Sequence, residues 1–353
     1  MATPTPLRPH PAQTLSAAET ERRAQWSFAH EMLRAAQDGD AQALAAALAT
    51  PEGATNAFSN SAHLHYAHSL LHEAIRNDQG ECALILVPHS DLSAVNKEGQ
   101  TPLLAALGNG MSDLAAAFAM LPGSDASVID QAGNTALILA ASLDHPEAAE
   151  LVRQLLPLSE ASRMNRYGMS ALLAAARSGT AASLQFLAPK ADAKARDPFG
   201  STSFLLAANA LAVERAQVLA PFSDLQETND AGKNALALAA ERHFAPMVEF
   251  LLPLVDWRQG AGQKNNVFDL AVADKSWDCA DAIAFHAETH GQTVPGLRDI
   301  VSRAKKDLFP KSRALLEAHD IRQEMNAAQA GLSSVDAAHS GGSAVARRSS
   351  RAL

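Results

Sequence analysis

The sequence predicts an all-α solenoid of paired antiparallel helices with short hairpin loops, closed by a helical cap near the C-terminal end. Three observations predict it. A six-residue segment recurs seven times at nearly fixed spacing, a glycine turn precedes most copies, and a Pro-x-x-Asp/Glu marker follows most of them. Composition agrees. Of 353 residues, 75 are Ala and only 5% are aromatic, so the core is built from Ala and Leu, which favours closely spaced helices over sheets.

The elements follow in chain order. Residues 1–25 read as a disordered tail, the first eighteen holding four Pro, three Thr and no acidic residue. Glu31-Met-Leu-Arg-Ala-Ala36 followed by Gly39-Asp40 reads as a degenerate N-terminal capping repeat over about 27–50. Residues 51–66 read as a linker rich in Asn, Ser and His. The seven copies then begin at Ser69, Thr101, Thr135, Ser170, Thr202, Asn234 and Asn266, spaced 32, 34, 35, 32, 32 and 32 residues apart. These define repeats starting near 64, 96, 130, 165, 197, 229 and 261, within a repeat domain over 26–290. Residues 291–330 read as a helical cap broken at Pro310, with Leu297, Ile300, Val301 and Leu308 available to cover the last repeat. Residues 331–353 are Ser/Gly/Ala-rich and read as a disordered tail.

One unit can be derived from its residues. Asn/Asp-x-x-Gly precedes five copies, ending at Gly99, Gly133, Gly168, Gly200 and Gly232. Gly supplies a positive-φ turn, and Asn or Asp favours the same turn. The Thr, Ser or Asn two residues later caps the helix that starts there. Leu or Phe at +2 and Ala at +5 share one helical face, and Ala lets the neighbouring helix approach closely. A second helix follows and is ended by Pro88, Pro122, Pro157, Pro189, Pro221 or Pro253, because proline cannot continue a helix.

This pattern resembles the ankyrin repeat, whose period is about 33 residues and whose signature is T-P-L-H-x-A. Thr101-Pro102-Leu103 and Ser69-Leu-Leu-His72-Glu-Ala74 match best, and Ala191-Asp-Ala-Lys-Ala-Arg-Asp197 is similar to the family's connecting segment. The resemblance covers roughly residues 60–290. It implies that His72 hydrogen-bonds backbone at the turn. The chain departs from the family in lacking the usual Gly after most second helices, in keeping the signature His only at His72, and in lacking the Asp-x-x-Gly turn at the first and last copies.

Charge narrows the function. Residues 26–290 carry 16 Lys/Arg against 30 Asp/Glu, a net of −14, while both ends are mildly basic. An acidic body argues against nucleic acid as partner. No 18-residue apolar run predicts a membrane span. Two cysteines 197 residues apart, Cys82 and Cys279, form no metal motif; they read as buried, inert thiols in a reducing compartment.

No motif carries catalytic chemistry. His63, His65, His68 and His72 crowd ten residues, but no Cys or carboxylate completes a metal spacing. His30-Glu31 and His72-Glu73 are not zinc-protease motifs, since the second His falls at Arg34 and Arg76. Gly108-Asn-Gly110 lacks the lysine of a phosphate loop, and Asp197-Pro-Phe-Gly200 is explained by the repeat register. Arg347-Arg348-Ser349-Ser350 matches a basophilic kinase site only in outline. Residues 1–60 and 291–353, which lie outside the repeats, hold no nucleophile–base constellation. The expectation is therefore a noncatalytic protein without cofactor or metal.

Repeat stacks expose a concave face made of turn tips and the solvent side of the first helices, and the resemblance implies that a partner protein binds there. The corresponding positions are Lys97 and Glu98, then Gln131, Arg166 and Tyr167, Pro198 and Phe199, and Asp230 on the tips. On the helices they are Asn109, Arg177, Asn209, Glu241 and Arg242. Tyr167 and Phe199 stand out, because an aromatic on a wet turn buries little until a partner covers it. The expected protein is a cytoplasmic monomer binding another protein. The acid-free leader also resembles those of bacterial type III secreted effectors, which implies as alternative a protein carried into a host cell to bind a host protein there.

Overall fold

The computed structural model describes residues 17–51, 69–305 and 307–326. Among these the regular structure is helical, with one isolated antiparallel bridge between Lys233 and Ala261. The chain divides into two compact units, Met1–Asp197 and Pro198–Leu353. The linker over 51–66 and the tail over 331–353 lie, apart from Pro51, outside the described residues, as do residues 1–16.

The first unit begins with α1 (Ala17–Asp38) and α2 (Ala41–Leu48). Helix α1 starts upstream of the expected capping repeat and takes nine residues from the expected tail. The run Ala-Ala-Glu-Thr-Glu-Arg-Arg-Ala explains this, since its members are mostly good helix formers. Asp40 caps α2 by accepting the Ala43 N–H at 2.9 Å. Four hairpins follow: α3 (Leu70–Arg76) with α4 (Gly80–Leu86), α5 (Pro102–Gly108) with α6 (Ser112–Ala119), α7 (Ala136–Ser142) with α8 (Ala148–Leu155), and α9 (Ala171–Ser178) with α10 (Ala181–Leu187). First helices stack on first helices, α1 on α3, then α5, α7 and α9. Second helices stack likewise, α2 on α4 and α6 on α8 on α10.

The second unit repeats the plan with α11 (Ser203–Asn209) and α12 (Val213–Leu219), α13 (Ala235–Glu241) and α14 (Ala245–Leu251), and α15 (Val267–Ala273) and the longer α16 (Trp277–Thr289). It closes with α17 (Leu297–Arg303) and α18, which begins at residue 310 and runs through 326. Pro310 therefore starts a helix rather than breaking one, as suits a residue with no N–H to leave unsatisfied in a first turn. Leu297 and Val301 are buried as expected, while Ile300 and Leu308 are half-buried. Phe309 is fully buried and meets Trp277 edge-on, with ring centroids 6.0 Å apart.

The repeat chemistry appears at each copy. Ser69, Thr101, Thr135, Ser170, Asn234 and Asn266 each accept the backbone N–H three residues on. Thr202 has the same extended backbone but makes no capping bond. The +2 residues Leu71, Leu103, Leu137, Leu172, Phe204, Leu236 and Phe268 are all at most 1% exposed, and every +5 Ala is fully buried. The second helices end where the prolines fall, three of them through 3-10 turns at Val87–His89, Leu156–Leu158 and Ala220–Phe222. The carboxylate of the Pro-x-x-Asp marker then folds the chain back: Asp91, Asp125, Asp192, Asp224 and Asp256 each accept the N–H two residues on. Hydrogen bonds from Ser93 and Ser127 hold the Asp91 and Asp125 carboxyls below their ordinary range.

A left-handed residue joins the two helices of most repeats. Gly39 and Gly110 supply it in two places, but Asp78, Leu211, His243 and Lys275 do so elsewhere, with φ between 56 and 59°. In the fourth hairpin Gly179 sits at φ −83° against α7, where a Cβ would meet the Ala141 carbonyl oxygen at 2.1 Å. Both cysteines are buried, and burial pushes both thiols above their ordinary range. His72 is buried, its Nε2 donating to the Gln100 carbonyl at 2.9 Å while Nδ1 takes the Ser69 hydroxyl at 2.8 Å. This is the backbone-bonding role the resemblance implies. His63, His65 and His68 lie outside the described residues, as does the Arg347–Ser350 motif.

Candidate partner-binding surface

The tips are built by the first residue of each Asn/Asp-x-x-Gly turn. Asn96 Oδ1 accepts the N–H groups of Glu98 and Gln100, and Asn165 Oδ1 those of Tyr167 and Met169. Asn229 does the same for Ala231 and Lys233. These three turns are thus closed by their own side chains, and the glycine at the fourth position of all five Asn/Asp-x-x-Gly turns has φ between 69 and 78°.

Neighbouring tips are then stitched together. In the first unit the Gln131 N–H donates to the Glu98 carbonyl and the Arg166 N–H to the Ala132 carbonyl, both at 2.9 Å. In the second unit Asp230 N–H donates to the Phe199 carbonyl at 3.1 Å and Gly262 N–H to the Gly232 carbonyl at 3.0 Å. Gly260 and Gly262 continue this ladder at the last copy, where the sequence lacks the Asp-x-x-Gly turn. A hydrogen-bonded ladder holds the tip side chains at fixed spacing, which lowers the entropic cost of covering them.

The structure places the sequence-predicted residues in two groups. Lys97, Glu98, Gln131, Arg166 and Tyr167 are exposed on the tips of the first unit, and Arg177 is exposed near the end of α9. Pro198, Phe199 and Asp230 are exposed in the second unit. Tyr167 and Phe199 are 67% and 73% exposed. The second group serves the stack as well. Asn109 Nδ2 donates to the Ile75 carbonyl at 3.0 Å, capping the preceding first helix. Arg242 Nε donates to Asn209 Oδ1 at 3.2 Å, and Glu241 pairs with Lys233. Sequence reasoning missed Val95, Ile129 and Met164, which are 51%, 39% and 42% exposed immediately before three successive turns. Their common register was the signal that could have found them.

Two tandem stacks of helical hairpins with ordered, solvent-facing tips define a helical repeat protein. A family model of ankyrin repeats in three copies matches residues 104–197, and the chain carries ankyrin repeats over that stretch. It therefore carries a protein–protein interaction module. No curated protein matches it. Solved structures similar to it include the ankyrin repeat protein EF0377, at 19% identity and TM-score 0.45, covering 52% of this chain and 96% of that one. The ankyrin repeat domain of Bcl-3, a member of the IkappaB protein family, is 21% identical with TM-score 0.43, covering 57% of this chain and 96% of that one. No helix among the described residues is long and apolar enough to cross a membrane.

Proposed function

We propose that the chain is a noncatalytic, monomeric binding protein that holds another protein against its turn tips and the outer side of its first helices. The observation that carries this reading is the exposure of Tyr167 and Phe199 on tips fixed by backbone hydrogen bonds. Water-exposed aromatics on rigid turns gain most when a partner desolvates them. No proton transfer or covalent step is needed. Recognition follows from shape, from the aromatic surface and from the charges beside it.

Photo-cross-linking tests the reading. A benzophenone side chain at position 167 and, separately, at 199 should trap the same protein in cells of the source organism. The same probe at Phe222, which is 45% exposed near the end of a second helix, should not. Equal trapping at all three positions would place binding elsewhere.

A further inference from the structure

The tips of the first unit carry a charge distribution that the chain as a whole does not. From residue 161 to residue 191 there is no Asp or Glu, while Arg163, Arg166, Arg177 and Lys190 are all present. This stretch is about one repeat long, set in a body with 30 carboxylates over residues 26–290. Arg163, Arg166 and Arg177 are exposed and make no ion pair among the described residues. Arg166 flanks Tyr167 on the same tip, and its side chain lies over the preceding turn, where a Cβ on Gly133 would meet Arg166 Cγ at 3.6 Å.

The repeat geometry explains why Arg177 is uncompensated. Taking the turn Asn as first residue, positions 5 and 13 of a repeat touch. A Cβ on Gly108 would meet Gln100 Nε2 at 3.6 Å, and Lys233 pairs with Glu241. In the repeat that begins at Asn165 the same positions are Met169 and Arg177. No carboxylate occupies the place that would neutralise the guanidinium. The repeat that begins at Asn229 has Asp230 and Glu241 where this one has Arg166 and Arg177. A guanidinium flanking an exposed aromatic, with a second unpaired guanidinium in the same repeat, matches a segment that presents carboxylates around an apolar side chain.

We propose that the partner docks an acidic, apolar-containing peptide segment on this repeat, its carboxylates taken by Arg166 and Arg177 and its apolar side chain laid against Tyr167. The proposal rests on the binding surface described under Proposed function and names the chemistry of what covers it. Nucleic acid is the competing polyanion, and the net charge of −9 opposes it.

The test uses the full chain and a fluorescein-labelled twelve-residue peptide alternating Glu with Leu and Phe, read by fluorescence anisotropy. The acidic peptide should bind at least about tenfold more tightly than its Gln counterpart and weaken as salt rises. The R166E/R177E variant should lose about tenfold or more, and R166K/R177K should lose less than that reversal, because the charge remains although the two-pronged guanidinium geometry does not. An R258E control should change affinity less than about twofold, since Arg258 is already paired with Asp256. Equal binding of the Glu and Gln peptides would overturn the proposal, as would indifference to the double reversal or tighter binding of an oligonucleotide of equal charge. If the acidic peptide fails while the benzophenone at 167 still traps a protein, the acidic segment is wrong and the binding surface stands.

Discussion

The buried carboxylate of Asp281 accepts the backbone N–H of Ser312 at 2.9 Å, and the Ser312 hydroxyl donates back to the Asp281 carbonyl at 3.3 Å. The other carboxylate oxygen takes the Lys311 N–H at 3.0 Å. A side chain from α16 thereby satisfies the first turn of α18, where N–H groups have no partner within their own helix. Asp281→Ala should cost about 2 kcal/mol, the scale of losing hydrogen bonds to a charged group, and should raise hydrogen exchange over 310–326 first. Asp299→Ala, which removes an exposed pair with Arg303, should change little. Equal effects of the two would show that Asp281 does not hold the cap.

Core and tip should separate cleanly. Leu172, 1% exposed at the +2 position, should cost roughly 2–5 kcal/mol of stability when replaced by Ala. Tyr167→Ala together with Phe199→Ala should cost less than about 1 kcal/mol, and should weaken partner binding by about 2 kcal/mol or more. Urea unfolding and the binding isotherm read the two sides. A double variant as unstable as Leu172→Ala would make both aromatics core residues.

The left-handed turns give the opposite sign. His243 and Lys275 are exposed and hold φ of 56° and 59°, a conformation that costs an L-residue roughly 1–2 kcal/mol. His243→Gly and Lys275→Gly should each stabilise the protein by up to about 1 kcal/mol, after the extra freedom of Gly in the unfolded chain is subtracted. Gly110→Ala, at φ 75° with open space around it, should destabilise by about 1 kcal/mol from conformation alone. Gly179→Ala has no such backbone cost and should destabilise by roughly 1–3 kcal/mol through its clash with Ala141. Thermal midpoints of the four variants decide.

Acid should loosen the turns between repeats. The Asp91, Asp125 and Asp256 carboxyls lie below their ordinary value of 3.8, the first two held by Ser hydroxyls and the third by the Arg258 guanidinium. A carboxyl depressed in the folded state contributes stability above its unfolded value and loses it as pH falls through the folded one. Stability should therefore be level with respect to these groups above about pH 5 and decline below pH 4. Asp91→Asn combined with Asp125→Asn should flatten that decline. A slope unchanged by the pair would assign acid sensitivity elsewhere.

Both thiols should resist a water-soluble disulfide reagent at pH 8 in the folded protein and react after unfolding. Burial removes access and disfavours the thiolate, the reactive form. Rapid labelling of either Cys82 or Cys279 under native conditions would contradict their placement.

Much of the fold was legible because each repeat announces itself locally. Gly99, Asn96 and Thr101 act through bonds to residues two to four positions away, so their spacing carries the geometry. Leu103 and Ala106 are legible because helical periodicity puts them on one face. Phe309 was not, since it lies beyond the last copy of the recurring segment, where no repeat register marks which residue meets Trp277. The early start of α1 lay in propensity rather than in the repeat pattern. At the candidate surface the tip positions were readable from the register. The commitment of Asn109 to Ile75 was not, because an exposed-looking amide can find a carbonyl 34 residues back.

The ladder between tips also bears on how the chain is assembled and how it can change length. Within each unit, adding one repeat closes a loop of only 32–35 residues, so no step of chain collapse has to organise distant parts of the polypeptide at once. Every first helix presents the same kind of face, Leu103 and Leu172 being equivalent, so a whole repeat inserted or lost inside a unit would meet a ready neighbour. Duplication of a gene segment can then lengthen the surface one tip at a time without redesigning the rest, and each new tip is free to diverge in charge, as the repeat that begins at Asn165 has done.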